Sequence, residues 1–157
     1  MEETAYHECG HAFMAAQLGG VVRYLTIEPD RDDGPDRFGE VQVAWQRGKQ
    51  TTREFQNKLV LVALAGPVAE MIYQGEPLHP GFVAEWASDW QTAWRAAEPI
   101  LPDERKRLAF LEAAVRQIHS QLRRDEHWAA IAALADNLLA HETLEQQDIR
   151  DILDAWR

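Results

Sequence analysis

AYHECGHA, residues 5–12, is the stretch that decides how this chain is expected to fold and act. If it is helical, His7 and His11 lie one turn apart on the same face, so both imidazoles can reach one metal ion. Glu8 lies about 100° around that helix from His7, close enough to hydrogen-bond a water on the metal without being a ligand itself. The spacing therefore predicts a zinc-peptidase helix, with two nitrogen ligands and a carboxylate that accepts a proton. Two ordinary surface histidines would show the same spacing, so a third ligand and a supporting fold are required.

Length, charge and cysteine content narrow the classes of protein that fit. We expect residues 1–157 to form a single domain, because this length is sufficient to bury a core. The net charge of −10 argues against nucleic acid as a partner. A single cysteine, Cys9, cannot form an internal disulfide and fits a reducing compartment. The acidic N-terminus is unlike a signal peptide, and the longest apolar run, Leu59–Ala69, is half of what spans a bilayer. We therefore expect a cytoplasmic protein, or one of an equivalent organelle compartment, with no membrane span.

The pattern along the chain predicts an α+β fold that is mainly helical. The first helix should run from Glu3 to Leu18, where Gly19-Gly20 ends it. Val21–Ile27 and Gly39–Trp45 have the composition of strands and should pair antiparallel across an acidic loop over residues 29–37. The small sheet would then lie beside the helix that carries the two histidines.

The remainder of the chain is predicted to be almost entirely helical. Thr51-Thr52-Arg53-Glu54 reads as a capping box that opens a helix lasting to Tyr73, in which Gly66 marks close packing against a neighbour. Residues 74–83 should form a loop, and from Ala84 onward the pattern is helical, with breaks near residues 99–102, 124–125 and 141–143.

A third metal ligand should come from another helix and should be His, Asp or Glu. Two residues qualify by type and position: Asp89, early in a helix, and Glu70, on the helix before it. Spacing alone does not separate them, because distance along the sequence says little about proximity in space.

Several segments, in the same order, resemble the peptidase domain of the FtsH family of membrane-anchored AAA+ zinc proteases. Residues 5–12 are similar to that family's AYHEAGHA, with Cys9 in place of alanine. Ala87-Ser88-Asp89-Trp90 is similar to A-S-N-D-L, with the asparagine missing. Further matching segments are Leu25-Thr26-Ile27-Glu28-Pro29, Phe38-Gly39-Glu40-Val41, Thr52-Arg53-Glu54, Ala65-Gly66, Val68-Ala69-Glu70, Leu138-Leu139 and Glu142-Thr143-Leu144.

The resemblance implies a complete zinc site. The family binds Zn²⁺ through the two motif histidines and the aspartate of S-N-D-L, which corresponds to Asp89. Glu70 would then either support the ligands from behind or have a purely structural role. The family also adds an extended substrate as a strand at the edge of its small sheet. That edge would be either Leu25–Pro29 or the segment Gly39, Glu40, Val41, Gln42 and Val43.

The function implied is a zinc-dependent endopeptidase that cleaves unfolded or extended polypeptides, with Glu8 as the general base. The sequence holds no phosphate-binding glycine loop, so as it stands the activity would not depend on ATP. By analogy with the family, a homo-oligomer and a separate ATPase are expected partners, whether the chain is free-standing or part of a longer protein. The alternative is a non-catalytic relative that binds peptides or a partner protease.

Overall fold

Two long antiparallel helices form the centre of the molecule in the computed structural model, which describes residues 1–29, 39–46 and 48–156. They are α1 (Glu2–Gln17) and α2 (Thr52–Gln74). They approach closely because Gly10 has no side chain: a Cβ there would lie 2.5 Å from the Ala65 carbonyl oxygen and 2.6 Å from the Ala69 Cβ. The glycine of the AYHECGHA segment is thus explained by the crossing of the two helices.

Both ends of α2 are set by local sequence. The Thr51 side chain accepts a hydrogen bond from the backbone N–H of Glu54, and the Glu54 carboxylate accepts one from the backbone N–H of Thr51. This confirms the predicted capping box. The helix ends at Gly75, whose φ of +81° lies in the left-handed region that glycine adopts without strain.

A three-stranded antiparallel sheet packs beside α1. Its strands are β1 (Val21–Thr26), β2 (Glu40–Ala44) and β3 (Thr143–Glu145), in the order β2-β1-β3. The predicted pairing of β1 with β2 is confirmed. All of the predicted connecting loop beyond Pro29 lies outside the described residues.

The third strand corrects two expectations. Residues 141–143 were expected only to break a helix, but the chain continues there into β3, which is too short for its composition to predict a strand. Because Leu25 in β1 pairs with Val41 on one side and Leu144 on the other, β1 is the central strand. The proposed binding edge at Leu25–Pro29 is therefore wrong for the part that lies in the sheet, and β2 is an outer strand.

The rest of the described chain is helical, as expected. Short 3₁₀ turns over Pro80–Phe82 and Ala84–Trp86 interrupt the predicted loop and lead into the next helix. The prediction of a mainly helical α+β fold is confirmed, and the breaks between helices fall where the sequence placed them. The remaining helices are α3 (Ala87–Ala97), α4 (Glu104–Leu122), α5 (Asp125–His141) and α6 (Gln146–Asp154).

Among the described residues, α2 is the one helix that is long and apolar enough to cross a membrane by length and composition alone. Half of its apolar window is buried against other parts of the fold. Cores of packed domains contain helices of this kind, and α2 contacts α1, α3 and α4. Cys9, on the neighbouring α1, is fully buried and packs as a small core residue.

Candidate metal centre

The two histidines of α1 point into the space between α2 and α3. His7 and His11 are one helical turn apart, and their rings meet edge to face with centroids 4.9 Å apart. Only 12% of the His7 side chain and 11% of the His11 side chain are exposed. They are therefore not the surface pair that the same spacing could have produced.

Asp89 completes a group that can hold a metal ion. It lies in the first turn of α3, and its Oδ2 is 2.7 Å from His7 Nε2 and 3.4 Å from His11 Nε2. One ligand atom from each of the three residues lies within 4.8 Å of the others. The ambiguity between Asp89 and Glu70 is thus resolved geometrically, since Asp89 faces the Nε2 atoms of both imidazoles.

Glu70 contacts the opposite side of His7. Its Oε1 lies 3.0 Å from His7 Nδ1, while His11 Nδ1 lies 2.7 Å from the backbone carbonyl oxygen of Val62. A carbonyl oxygen and an ionised carboxylate can only accept hydrogen bonds, so each imidazole must carry a proton on Nδ1. Both Nε2 atoms are then left to face Asp89, where a lone pair directed at a carboxylate oxygen needs a proton or a metal ion between them.

The electrostatics of the metal-free group reflect this need for positive charge. Burial disfavours protonation of His7, but its hydrogen bonds to Asp89 and Glu70 outweigh that effect and raise the pKa of His7 to about 10. The pKa of His11 is also raised, because the charge of Asp89 outweighs burial. Burial alone would raise the pKa of Asp89, yet the charge of His11 and the hydrogen bonds from both imidazoles hold it well below its usual value. In the metal-free protein, a proton on His7 therefore occupies the position that a cation would take.

A glycine in α2 makes room for the second imidazole. A Cβ on Gly66 would lie 2.2 Å from His11 Nε2 and 2.5 Å from His11 Cε1. The ring of His11 therefore lies directly against the backbone of α2, between Gly66 and the Val62 carbonyl group. This confirms the close packing predicted at Gly66 and identifies the neighbour as His11.

Glu8, on α1, lies beside the candidate metal group and faces Gly39, the residue immediately before β2. A Cβ on Gly39 would lie 2.7 Å from Glu8 Cγ and 2.9 Å from Glu8 Oε1, so the strand backbone passes directly over this side chain. The Glu8 carboxylate forms no hydrogen bond or ion pair with the part of the chain that is described. Burial raises the pKa of Glu8, although the positive charges on His11 and His7 partly offset the rise. A carboxyl group of this kind is suited to accept and return a proton.

An open cleft of about 970 Å³ contains all of these groups. Its walls come from α1, β2, α2 and α3, and Leu59 and Ala63 of α2 supply an apolar part. Successive side chains of a strand point to opposite faces. Four residues of the predicted binding segment line the cleft: Gly39, Glu40, Val41 and Val43. Gln42, between the two valines, points to the other face of the strand and is exposed outside the cleft.

Sequence patterns did not indicate the contact made by the Val62 carbonyl group, because a backbone acceptor carries no residue-type signal. The role of Gly39 was also missed, although a glycine at the start of a strand pattern is a recognised sign of close approach by other atoms. Glu70 was identified as a residue supporting the ligands, and it lies where that role requires.

No protein-family model matches this chain, and no curated protein matches it. The resemblance to the FtsH peptidase domain therefore depends on the quoted segments alone.

Proposed function

We propose that this chain is a zinc-dependent endopeptidase that cleaves unfolded or extended polypeptides without ATP. The observation that carries the proposal is the convergence of three ligand atoms, from His7, His11 and Asp89, in an open cleft beside the Glu8 carboxylate, which has no hydrogen-bond partner among the described residues. The ordered resemblance to FtsH peptidase segments supports the same function.

The donor set fits zinc. Two imidazole nitrogens and one carboxylate oxygen are ligands that Zn²⁺ commonly takes in enzymes. Structural zinc sites use four protein ligands, whereas catalytic sites use three and leave a position open to water or substrate. When bound, zinc lowers the pKa of water and polarises a carbonyl group. The contacts of Glu70 and Val62 with the two Nδ1 atoms would fix the rings for binding through Nε2.

Glu8 performs the proton transfers in the proposed reaction. Its carboxylate accepts a proton from the attacking water as the water oxygen forms a bond to the peptide carbon. It then returns that proton to the amide nitrogen as the C–N bond breaks, which leaves a new amine and a new carboxylic acid that holds the second hydrogen of the water and loses it to solvent. Burial of Glu8, which raises the pKa of its carboxyl group in the metal-free protein, favours uptake of the proton in the first step.

The outer strand β2 is the proposed substrate-binding edge. The chain contacts Glu8 at Gly39, immediately before β2, and the strand continues along the cleft through Val41 and Val43. An extended peptide added at such an edge would be held by main-chain hydrogen bonds, which select an unfolded conformation over a particular sequence. A separate ATPase or a homo-oligomeric ring would extend the range of substrates, and both belong to this proposal by analogy with the family.

The test compares wild type with Glu8→Gln for cleavage of casein, with zinc and without ATP. We expect wild type to produce fragments and the variant to produce none, while both bind one zinc per chain. Equal cleavage by the two proteins would contradict the role of Glu8. A folded, zinc-loaded wild type that binds casein without cleaving it would instead favour the non-catalytic alternative.

A further inference from the structure

The face of α3 that carries Asp89 also carries an arginine. Asp89, Thr92 and Arg95 recur every three residues, which is the spacing of one helical face, and all three line the cleft together with Ser88. Six residues separate Asp89 from Arg95, or about 9 Å along the helix axis. An extended peptide advances about 3.3 Å per residue, so a peptide that follows the axis of α3 would cover this distance in about three residues.

Arg95 is exposed and forms no hydrogen bond or ion pair within the described chain. A second arginine near the same end of α3 has a different role. Arg107 is 4% exposed, donates hydrogen bonds to the carbonyl oxygens of Leu101 and Pro102, and lies 4.5 Å from the centre of the Trp94 ring. Arg107 is therefore held by α3 and by the segment after it, whereas Arg95 is exposed at the cleft.

The charge of Arg95 is opposite to that of its surroundings. It is the one lysine or arginine among the described residues that line the cleft. Glu85, four residues before Asp89, is exposed at the other end of this face. The charged side chains of the lining other than Arg95 and the histidines are all carboxylates: Glu3, Glu8, Glu40, Glu70, Glu85 and Asp89.

We propose that Arg95 determines specificity by binding a carboxylate of the substrate about three residues from the cleaved bond. This inference rests on the proposed peptidase function. The carboxylate belongs either to an internal Asp or Glu side chain or to the C-terminus of a peptide that ends there. A guanidinium suits both sources, because its paired N–H donors match the two oxygens of a carboxylate.

The test uses peptides built around a bond that wild type cleaves in casein, with Glu, Gln or Lys three residues to either side. A second set ends at that position with a free acid or an amide, which separates the two sources of carboxylate. Wild type is compared with Arg95→Gln and Arg95→Glu at low ionic strength, since salt screens exposed charges. Arg105→Gln is the matched control, because Arg105 is exposed on α4 away from the cleft.

We expect wild type to prefer a carboxylate over its neutral counterpart by about threefold in kcat/KM, the range of an exposed ion pair. Arg95→Gln should abolish the preference, Arg95→Glu should transfer it to the Lys peptide, and Arg105→Gln should retain it. A preference that is absent in wild type, or unchanged in both Arg95 variants, would overturn the inference.

Binding measurements separate this inference from the proposed activity. Fluorescence anisotropy of labelled peptides is measured with zinc-loaded Glu8→Gln, with and without each Arg95 change. If wild type cleaves nothing, peptides taken directly from the casein sequence serve in the same comparison. If the Arg95 variants lose the preference in Kd for the carboxylate peptide over the neutral one, the role of Arg95 is supported even if the peptidase proposal fails. If the ratio of the two Kd values is the same with and without the Arg95 changes, the role is refuted.

Discussion

Gly66→Ala should remove metal binding while leaving the fold intact. The new Cβ would lie 2.2 Å from His11 Nε2, about 1.2 Å short of ordinary van der Waals contact. The imidazole of His11 must therefore move by roughly that distance, because the new Cβ is fixed to the backbone of α2 and cannot move away. In isolation the substitution favours α2, since alanine exceeds glycine in helix propensity by about 1 kcal/mol.

The size of the ring movement sets the expected effect. Metal–ligand distances in proteins fall within about 0.2 Å of their preferred values, so a shift several times larger removes His11 from the ligand set. The movement also disturbs the 2.7 Å contact between His11 Nδ1 and the Val62 carbonyl oxygen. Loss of supporting contacts alone typically costs 10–100-fold in affinity. We therefore expect Gly66→Ala to weaken zinc binding by at least about 100-fold.

The assay is competition for zinc with a chromogenic chelator, together with thermal unfolding with and without zinc. Gly75→Ala is the control on the same helix: its Cβ would contact nothing within 4 Å, but its φ of +81° is strained for alanine. The control should lower the free energy of unfolding by about 1 kcal/mol and leave zinc affinity unchanged. If a folded Gly66→Ala protein binds zinc as tightly as wild type, this account of how His11 is positioned is refuted.

Two further predictions concern the charges around the metal group. Asp89→Asn should weaken zinc binding more than Glu70→Gln, because the first change alters a ligand and the second alters the partner of His7 Nδ1; chelator competition that gives the reverse order would contradict the assignment of Asp89 as the ligand. In the metal-free protein, the stabilisation from the lowered pKa of Asp89 is lost as the pH falls below about 4, whereas that from the raised pKa of His7 is lost as the pH rises from about 6.5 towards 10. Chemical unfolding of the metal-free protein should therefore show that this group stabilises the fold most between about pH 4 and about pH 6.5. Zinc affinity should increase from pH 6.5 upward, because protons then compete less with the metal for the histidines. A zinc affinity that does not change with pH over that range would contradict the protonation described for the metal-free group.

The features that the sequence predicted correctly depend on residues that are close together along the chain. The capping box at Thr51 and Glu54, the helix that carries His7 and His11, and the pairing of β1 with β2 follow from short-range patterns that a sequence displays directly. Each depends on neighbours within a few residues or on a single antiparallel pairing, so little knowledge of tertiary structure was needed.

The assignment of roles to Asp89 and Glu70 needed the fold. These residues are 82 and 63 positions from His7 along the chain, and both are carboxylates on helices. What separates them is which nitrogen of His7 each one contacts, a property of how α2 and α3 cross α1. In the same way, the three residues of β3 follow a helix directly, and only the pairing with β1 identifies them as a strand.

The position of β3 in the sheet also affects when the cleft can be completed during synthesis. Two-stranded hairpins are marginal in water, so the arrangement of β2 over Glu8 depends on β1 being paired on its other side. There, Leu144 is 2% exposed against Leu25, and the backbone N–H of Ile27 donates to the Glu142 carbonyl oxygen. The side chains of the candidate metal group leave the ribosome long before these residues do. A nascent chain can therefore bring that group together early, but the outer strand β2 is held firmly beside it only after translation has passed the third strand.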